Sequence, residues 1–390
     1  MKQSLYIILC LILGVALSGC IEEYEADIAS EDSGLLVVEG TISSGNMNTF
    51  ILTRTQPVKA SESPRLVTGA TVTVRGSDGS EYGMLGNYGY YASQIGDLNP
   101  DVDYYLHIEY DGEVYESEPQ KPLRTEKIAD VRGVQNTPES NIDVLVTPGM
   151  PFTSDRANYY SWTYDETWEV YPDYTTDIYF DMELQEPVFK DNQFPVRGWK
   201  DATSTTIMVG ESHNYEGQQI KGLKMYEIAN SDERVFYRYS GLLHQRAISK
   251  AEYEYELARR QAGSEMGGLF TPQPSSLPTN IHCLTSDKRV IGFVGCSLNT
   301  SEYRFFLNAA DFTIHRPQRE DARLWLDDCN KQDCCDMVKR GLYLCDWMDE
   351  RQMGGTLRTA WAWDYQLDVR LKGAYIEEPA FWSLKENVSY

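Results

Sequence analysis

Beyond its first 17 residues this chain contains no long apolar run, and none reaches the roughly 20 residues a membrane-spanning helix requires. The body is therefore expected to be soluble. Basic residues are also scarce: 35 Lys and Arg face 59 Asp and Glu, for a formal charge of −24. Such a chain repels phosphate backbones and anionic lipid, which excludes nucleic acid as a partner. Histidine is sparse as well. The five are His107, His213, His244, His282 and His315, and no two stand three or four apart, so no helical metal motif exists and no metal site is assigned. G-x-S-x-G elbows, P-loops and dinucleotide fingerprints are missing, so no catalytic residue and no cofactor is expected. Carboxylates are too abundant for a glycosidase pair to be picked out, and a hydrolase stays open only as an alternative.

What the chain does have begins at its N-terminus. Lys2 precedes the apolar run Leu5 to Leu17, which has the length of a secretory core segment. Leu17, Ser18, Gly19 and Cys20 then form a lipobox: small residues fit the signal peptidase pocket, and the Cys20 thiol carries the lipid. Residues 1–19 read as a lipoprotein signal peptide. Acyl chains such as palmitate on Cys20 would hold the rest at a membrane more firmly than a lone myristoyl group. Residues 20–34 form a tether with Glu22, Glu23, Glu25, Asp27, Glu31 and Asp32 and no hydrophobic period.

Of eight cysteines, Cys10 leaves with the signal and Cys20 carries lipid. The remaining Cys283, Cys296, Cys329, Cys334, Cys335 and Cys345 are an even number in an exported chain, which reads as a disulfide set whose pairing the sequence leaves open. Their spacings fit a zinc knuckle poorly. The polar stretch around Cys329, Cys334 and Cys335 reads as a loop stapled by bridges in place of packing. Neighbouring Cys334 and Cys335 are expected to take different partners.

The body is mainly β. From 35 to 125, short apolar strands, the period-two run Ala70 to Arg75 and the hairpin signal Asp111-Gly112 predict an immunoglobulin-like β-sandwich. The runs Gly69 to Val72, Gly89 to Tyr91 and Asp103 to Leu106 resemble those of transthyretin-like sandwiches. From 126 to 390 the sequence predicts a larger β-rich domain with strands at Ile142–Val146, Tyr159–Tyr164 and Arg234–Tyr239, and a Cys-rich tail. One amphipathic helix is predicted near 249–262, opened by a capping box of Ser249 and Glu252. Tyr171 to Gly198 reads as a long loop excursion. Within and just before it, Trp168, Tyr171 and Tyr174 form the candidate binding loop, because Tyr and Trp offer flat amphipathic surface.

Several motifs together resemble domain-of-unknown-function family 4249, lipoproteins of Bacteroidota. They are the lipobox and acidic start, the LLVVEG strand at Leu35 to Gly40, and Gly267-Gly268-Leu269-Phe270-Thr271-Pro272-Gln273-Pro274. Leu277 to Cys283, Gly354-Gly355-Thr356 and Pro379-Ala380-Phe381-Trp382 complete the set. The stretch between Gly355 and Pro379, with Trp361 and Trp363 alternating, departs from the pattern. The resemblance implies an outer-membrane lipoprotein encoded beside TonB-dependent receptors, and implies no reaction. The acidic residues after Cys20 look like the export signal of surface-exposed lipoproteins. The expectation is thus a lipid-anchored outer-membrane protein facing outward, a non-enzymatic accessory that captures or gates ligand for a TonB-dependent transporter. A surface adhesin or glycan-binding lipoprotein is the alternative, and a lipid-anchored hydrolase the second.

Overall fold

Alternating apolar residues leave one face of each strand free for a core, and the chain assembles them into two stacked-sheet units and a smaller third one. The computed structural model describes residues 34–56, 65–149, 158–206, 208–264, 277–317, 320–384 and 386–389. Cys20 with its lipobox, the tether through residue 33 and the Gly267 to Pro274 motif lie outside the described residues. No helix among the described residues is long and apolar enough to cross a membrane.

The first unit stacks two sheets. One runs Val290–Ser297, Leu36–Ser43, Met47–Arg54, Tyr90–Gln94, Leu85–Asn87, and the other Ile281–Cys283, Glu113–Ser117, Tyr104–Tyr110, Thr71–Gly76, Glu81–Gly83. Val72 and Val74 point inward from the alternating strand and join Val38, Phe50, Leu106 and Val294 in one core. Asp111 and Gly112 both take positive φ, 54° and 77°, as a tight hairpin turn of the favoured hand requires. Two of these strands come from far along the chain. Val290–Ser297 pairs in parallel with Leu36–Ser43, from Leu36↔Val290 to Ser43↔Ser297. The segment 281–297 therefore completes a sandwich whose other strands all precede residue 118.

The Leu277 to Cys283 motif acquires a role here. Asn280 is buried, and its side chain both donates to the Val294 carbonyl and accepts from the Val294 N–H, each at 2.9 Å. Its own carbonyl accepts from Glu118 N. Thr279 donates to the Gly292 carbonyl at 2.8 Å. Gly292 lies at φ 136°, and a Cβ there would sit 2.1 Å from the Val38 carbonyl oxygen, so only glycine fits. The motif clamps the returning strand into the sandwich.

The second unit faces a sheet of Gly198–Thr203, Tyr159–Val170, Arg238–Ile248, Ser301–Asn308 and Val388–Ser389 against Ile128–Val134, Ile142–Pro148 and Leu223–Ile228. Trp162, Tyr239, Leu243 and Phe305 fill the space between. The helix Lys250–Ser264 joins the two units: Tyr253 meets Tyr159 at 5.0 Å and Tyr255 meets Phe293 at 5.7 Å. Ser249 caps it by accepting from Glu252 N at 3.1 Å. The Glu252 carboxylate, expected to reach back to the cap, instead pairs with half-buried Arg246 on the underlying strand. Glu252 is itself buried, and a buried carboxylate left without its cation would cost several kcal/mol, which outweighs the roughly 1 kcal/mol of a cap.

The third unit packs the hairpin Ile178–Asp181/Glu186–Phe189 and the helix Lys331–Lys339 on the sheet Leu324–Asp327, Leu357–Trp363, Leu342–Asp349. Phe180, Cys334, Leu344 and Trp361 are in its core. The predicted loop excursion thus contains a hairpin of its own.

The cysteines depart from the expected staple. All six are thiols, spread over the first and third units. Cys283 and Cys296 belong to opposite sheets of the first sandwich. Cys345 lies at a bulge of its strand beside Arg323, while Cys335 faces the small core. Only Cys329 and Cys334 meet, with Sγ atoms 3.0 Å apart inside that core. Packing rather than cross-linking organises this segment: Asn330 and Asp333 cap its helix reciprocally.

Candidate functional site

A cleft of about 480 Å³ opens where the second unit meets the C-terminal segments. Five separated stretches build it. Strand Tyr159–Val170 supplies Glu169 and runs out into Tyr171, Pro172 and Asp173, while the neighbouring strand adds Lys200. The turn at Glu233–Val235, capped by the Asp232 side chain, presents Glu233, Phe236 and Tyr237. Arg316 and Pro317 close one side and Lys372, at the end of the turn Val369–Lys372, the other.

Its aromatic wall is Tyr171 against Tyr237, with centroids 4.3 Å apart and planes tilted by 46°. Arg316 lies over Tyr237 at 4.6 Å and over Phe236 at 5.7 Å, and donates to the Phe236 carbonyl. The Tyr171 hydroxyl donates to Glu169 at 3.0 Å, and burial with the neighbouring Glu169 charge raises its pKa above the ordinary value. Glu169 is itself buried and meets Arg197, which also reaches Glu378 at 2.9 Å and stacks over Trp199 at 4.8 Å. Burial works against the Arg197 charge, but contact with Glu169 more than offsets this and holds the guanidinium above its ordinary value.

Every acid in the cleft has a cation. Asp173 meets Lys372 at 2.8 Å, Glu233 meets Lys200 at 2.9 Å, and Glu169 meets Arg197. The arrangement suits a ligand that stacks on the tyrosines and exchanges hydrogen bonds with a charged rim.

The three residues of the predicted binding loop part company. Trp168 belongs to the strand, is 8% exposed and packs in the second core, a correction to its reading as a loop residue. At this end of the strand, from Glu166 to Val170, both faces are covered, so the period-two alternation of its earlier part is lost and the sequence looks loop-like. Tyr171 lines the cleft. Tyr174 accepts from Ala322 N at 2.8 Å and stacks on Arg323 at 5.0 Å, joining the second unit to the third. Lys200, Phe236, Tyr237, Arg316 and Lys372 were not singled out in the sequence, and no local pattern marks them.

The histidines are engaged individually. His107 is buried between Glu116 at 2.7 Å and Glu109 at 3.2 Å, and His244 bridges Asp165 at 3.0 Å and Glu302 at 3.2 Å across three strands. His282 meets Glu118, His213 packs on Tyr159, and His315 contacts Asn230. Among the described residues no cluster of His, Cys, Asp and Glu is arranged to hold a metal ion. Burial pushes the Cys296 thiol up to about 12 and Cys345 to about 11.

Fold and site together define a class: a mainly β protein of stacked sheets carrying an open aromatic cleft with a charge-paired rim. Within that class the chain belongs to the family described as Domain of unknown function (DUF4249), whose model matches residues 21–303. The match takes in the first unit and the cleft residues through Tyr237, while Arg316, Lys372 and the cysteine-rich helix lie beyond it. Among curated proteins, none matches the chain. Solved structures similar to parts of it include a DUF4785 family protein from Legionella pneumophila, at 12% identity and TM-score 0.17, over 54% of this chain and 51% of that one. Trypsin-activated alpha-2-macroglobulin from Escherichia coli shows 10% identity and TM-score 0.18, over 57% of this chain and 15% of its own. A Salmonella alpha-2-macroglobulin mutant shows 10% and 0.18, over 88% and 21%. The chain spans about half the length of the first and under a quarter of the others. Scores this low carry no argument.

Proposed function

We propose that this chain is an outer-membrane lipoprotein, anchored through Cys20 and facing outward, that serves a TonB-dependent transporter as a non-enzymatic accessory which captures or gates its ligand. The observation that carries the capturing role is the cleft, an open aromatic site in which each carboxylate is tied to a cation. Membership of the family and the lipobox support the rest. A lipid anchor would keep the protein in the plane of its barrel, which raises effective concentration without demanding a large interface.

The tilted pair Tyr171 and Tyr237 also favours a second reading, a free-standing glycan-binding surface lipoprotein or adhesin. A lipid-anchored hydrolase has less support, because none of the cleft acids is left without a counter-charge. The deciding experiment isolates the tagged, lipidated protein from its own outer membrane in mild detergent. Co-elution of a TonB-dependent barrel in equal amount is the expected result. Elution alone across several detergents, with glycan binding lost in Tyr171→Ala, would favour the adhesin.

A further inference from the structure

We propose that the cleft takes an oligosaccharide bearing a carboxylate, an acidic sugar, and that Arg316 receives the carboxylate. This rests on the cleft being the ligand site of the capture reading above.

Charge accounting leads there. The chain as a whole carries −24, so an anion is favoured only where a cation stands without a counter-charge. The cleft has one, although its lining acids and bases balance three against three. Lys200 is matched by Glu233, Lys372 by Asp173, and Glu169 by Arg197 behind the wall. Arg316 is left over: among the described residues it forms no ion pair, and its hydrogen bond goes to the neutral Phe236 carbonyl. One cation without an ion-pair partner therefore stands at the mouth of a site that is otherwise neutral overall.

Geometry then says what the charge is for. A guanidinium resting on two rings is held in one plane, so less rotational freedom is lost when it binds. One N–H is spent on the Phe236 carbonyl, and the remaining donors present a fork that matches a planar carboxylate. A few ångströms away Tyr171 and Tyr237 offer the kind of flat surface on which the apolar face of a pyranose rests. The rim charges of Lys200, Glu233, Asp173 and Lys372 supply donors and acceptors suited to hydroxyl groups. Arginine fork and aromatic platform together describe a uronic acid ring: carboxylate on the guanidinium, ring on the tyrosines.

The test measures binding of the full-length protein to trimers of galacturonate, glucuronate and mannuronate, to their carboxyl-reduced neutral counterparts, and to short peptides with a free C-terminus. At least one uronate is expected to bind, and its neutral counterpart to bind about 10- to 100-fold more weakly. Arg316→Ala should lose a similar factor with an unchanged thermal melt, since the side chain is exposed, while Arg316→Lys should recover part of it. Equal binding of acidic and neutral sugars, unchanged affinity in Arg316→Ala, binding only of peptides, or no binding of any uronate would each overturn the proposal. The capture reading is tested separately: it stands if a TonB-dependent barrel accompanies the native protein, whatever the uronates do, and falls if none does.

Discussion

Arg234 shows how single residues hold the cleft in shape. It pairs with buried Glu166 at 2.7 Å and with Asp232 at 3.0 Å, and Asp232 caps the turn that presents Glu233 and Phe236. Burial opposes the Asp232 charge, yet the hydrogen bonds and charge of Arg234 hold its pKa below the ordinary 3.8. An acid whose pKa is depressed by folding contributes stability above its unfolded value and loses it as pH falls through the folded one. Asp232→Asn should therefore melt lower than the parent near pH 7, and the two melting curves should converge as pH falls below the carboxylate's ordinary range and through its lowered folded pKa. A gap of constant size across that range would show that the carboxylate charge is not the cause. Trp168 teaches the opposite lesson at the same scale: its residue type pointed to a surface, and its strand put it inside.

Among the elements, the clamp between the Leu277 to Cys283 motif and the returning strand is the most exacting. Asn280 satisfies both backbone groups of Val294 where the ladder provides no strand neighbour. Asn280→Ala leaves a buried N–H and a buried carbonyl without partners, and is expected to cost about 2–3 kcal/mol in a denaturant titration. A loss below about 0.5 kcal/mol would mean that these groups find other partners and that the clamp is dispensable. The helix Lys250–Ser264 extends the same logic, since its buried Glu252 pairs with half-buried Arg246 and makes its docking depend on the strand it follows directly in sequence.

For the molecule as a whole, the first sandwich is not a contiguous piece of chain. A fragment ending at residue 125 would lack Ile281, Val290, Val294 and Cys296 from the core and would leave Leu36–Ser43 without its parallel partner. Produced alone, that fragment is expected to give the narrow amide dispersion of an unfolded chain. A native-like spectrum would show instead that the strands before residue 118 suffice. Parallel pairing across so long a separation has to wait for the chain between to close, so the first unit should complete only once residues 281–297 have returned to it.

By itself the sequence determined whatever depends on neighbours in the chain. Period-two runs such as Thr71–Gly76 became strands, Asp111-Gly112 became a hairpin turn, and Ser249 opened the helix Lys250–Ser264. Each follows from local sterics, capping and alternation, which act over a few residues. Tertiary structure decided the rest. It carried Val290–Ser297 back to Leu36–Ser43, buried Trp168 by covering both faces at the end of its strand, and left Cys329 and Cys334 as the close pair among six thiols. It also drew Tyr171, Lys200, Tyr237, Arg316 and Lys372 from five stretches to one cleft. No window of sequence holds that information, because pairing between distant strands is chosen by the shared core they bury and not by either strand alone.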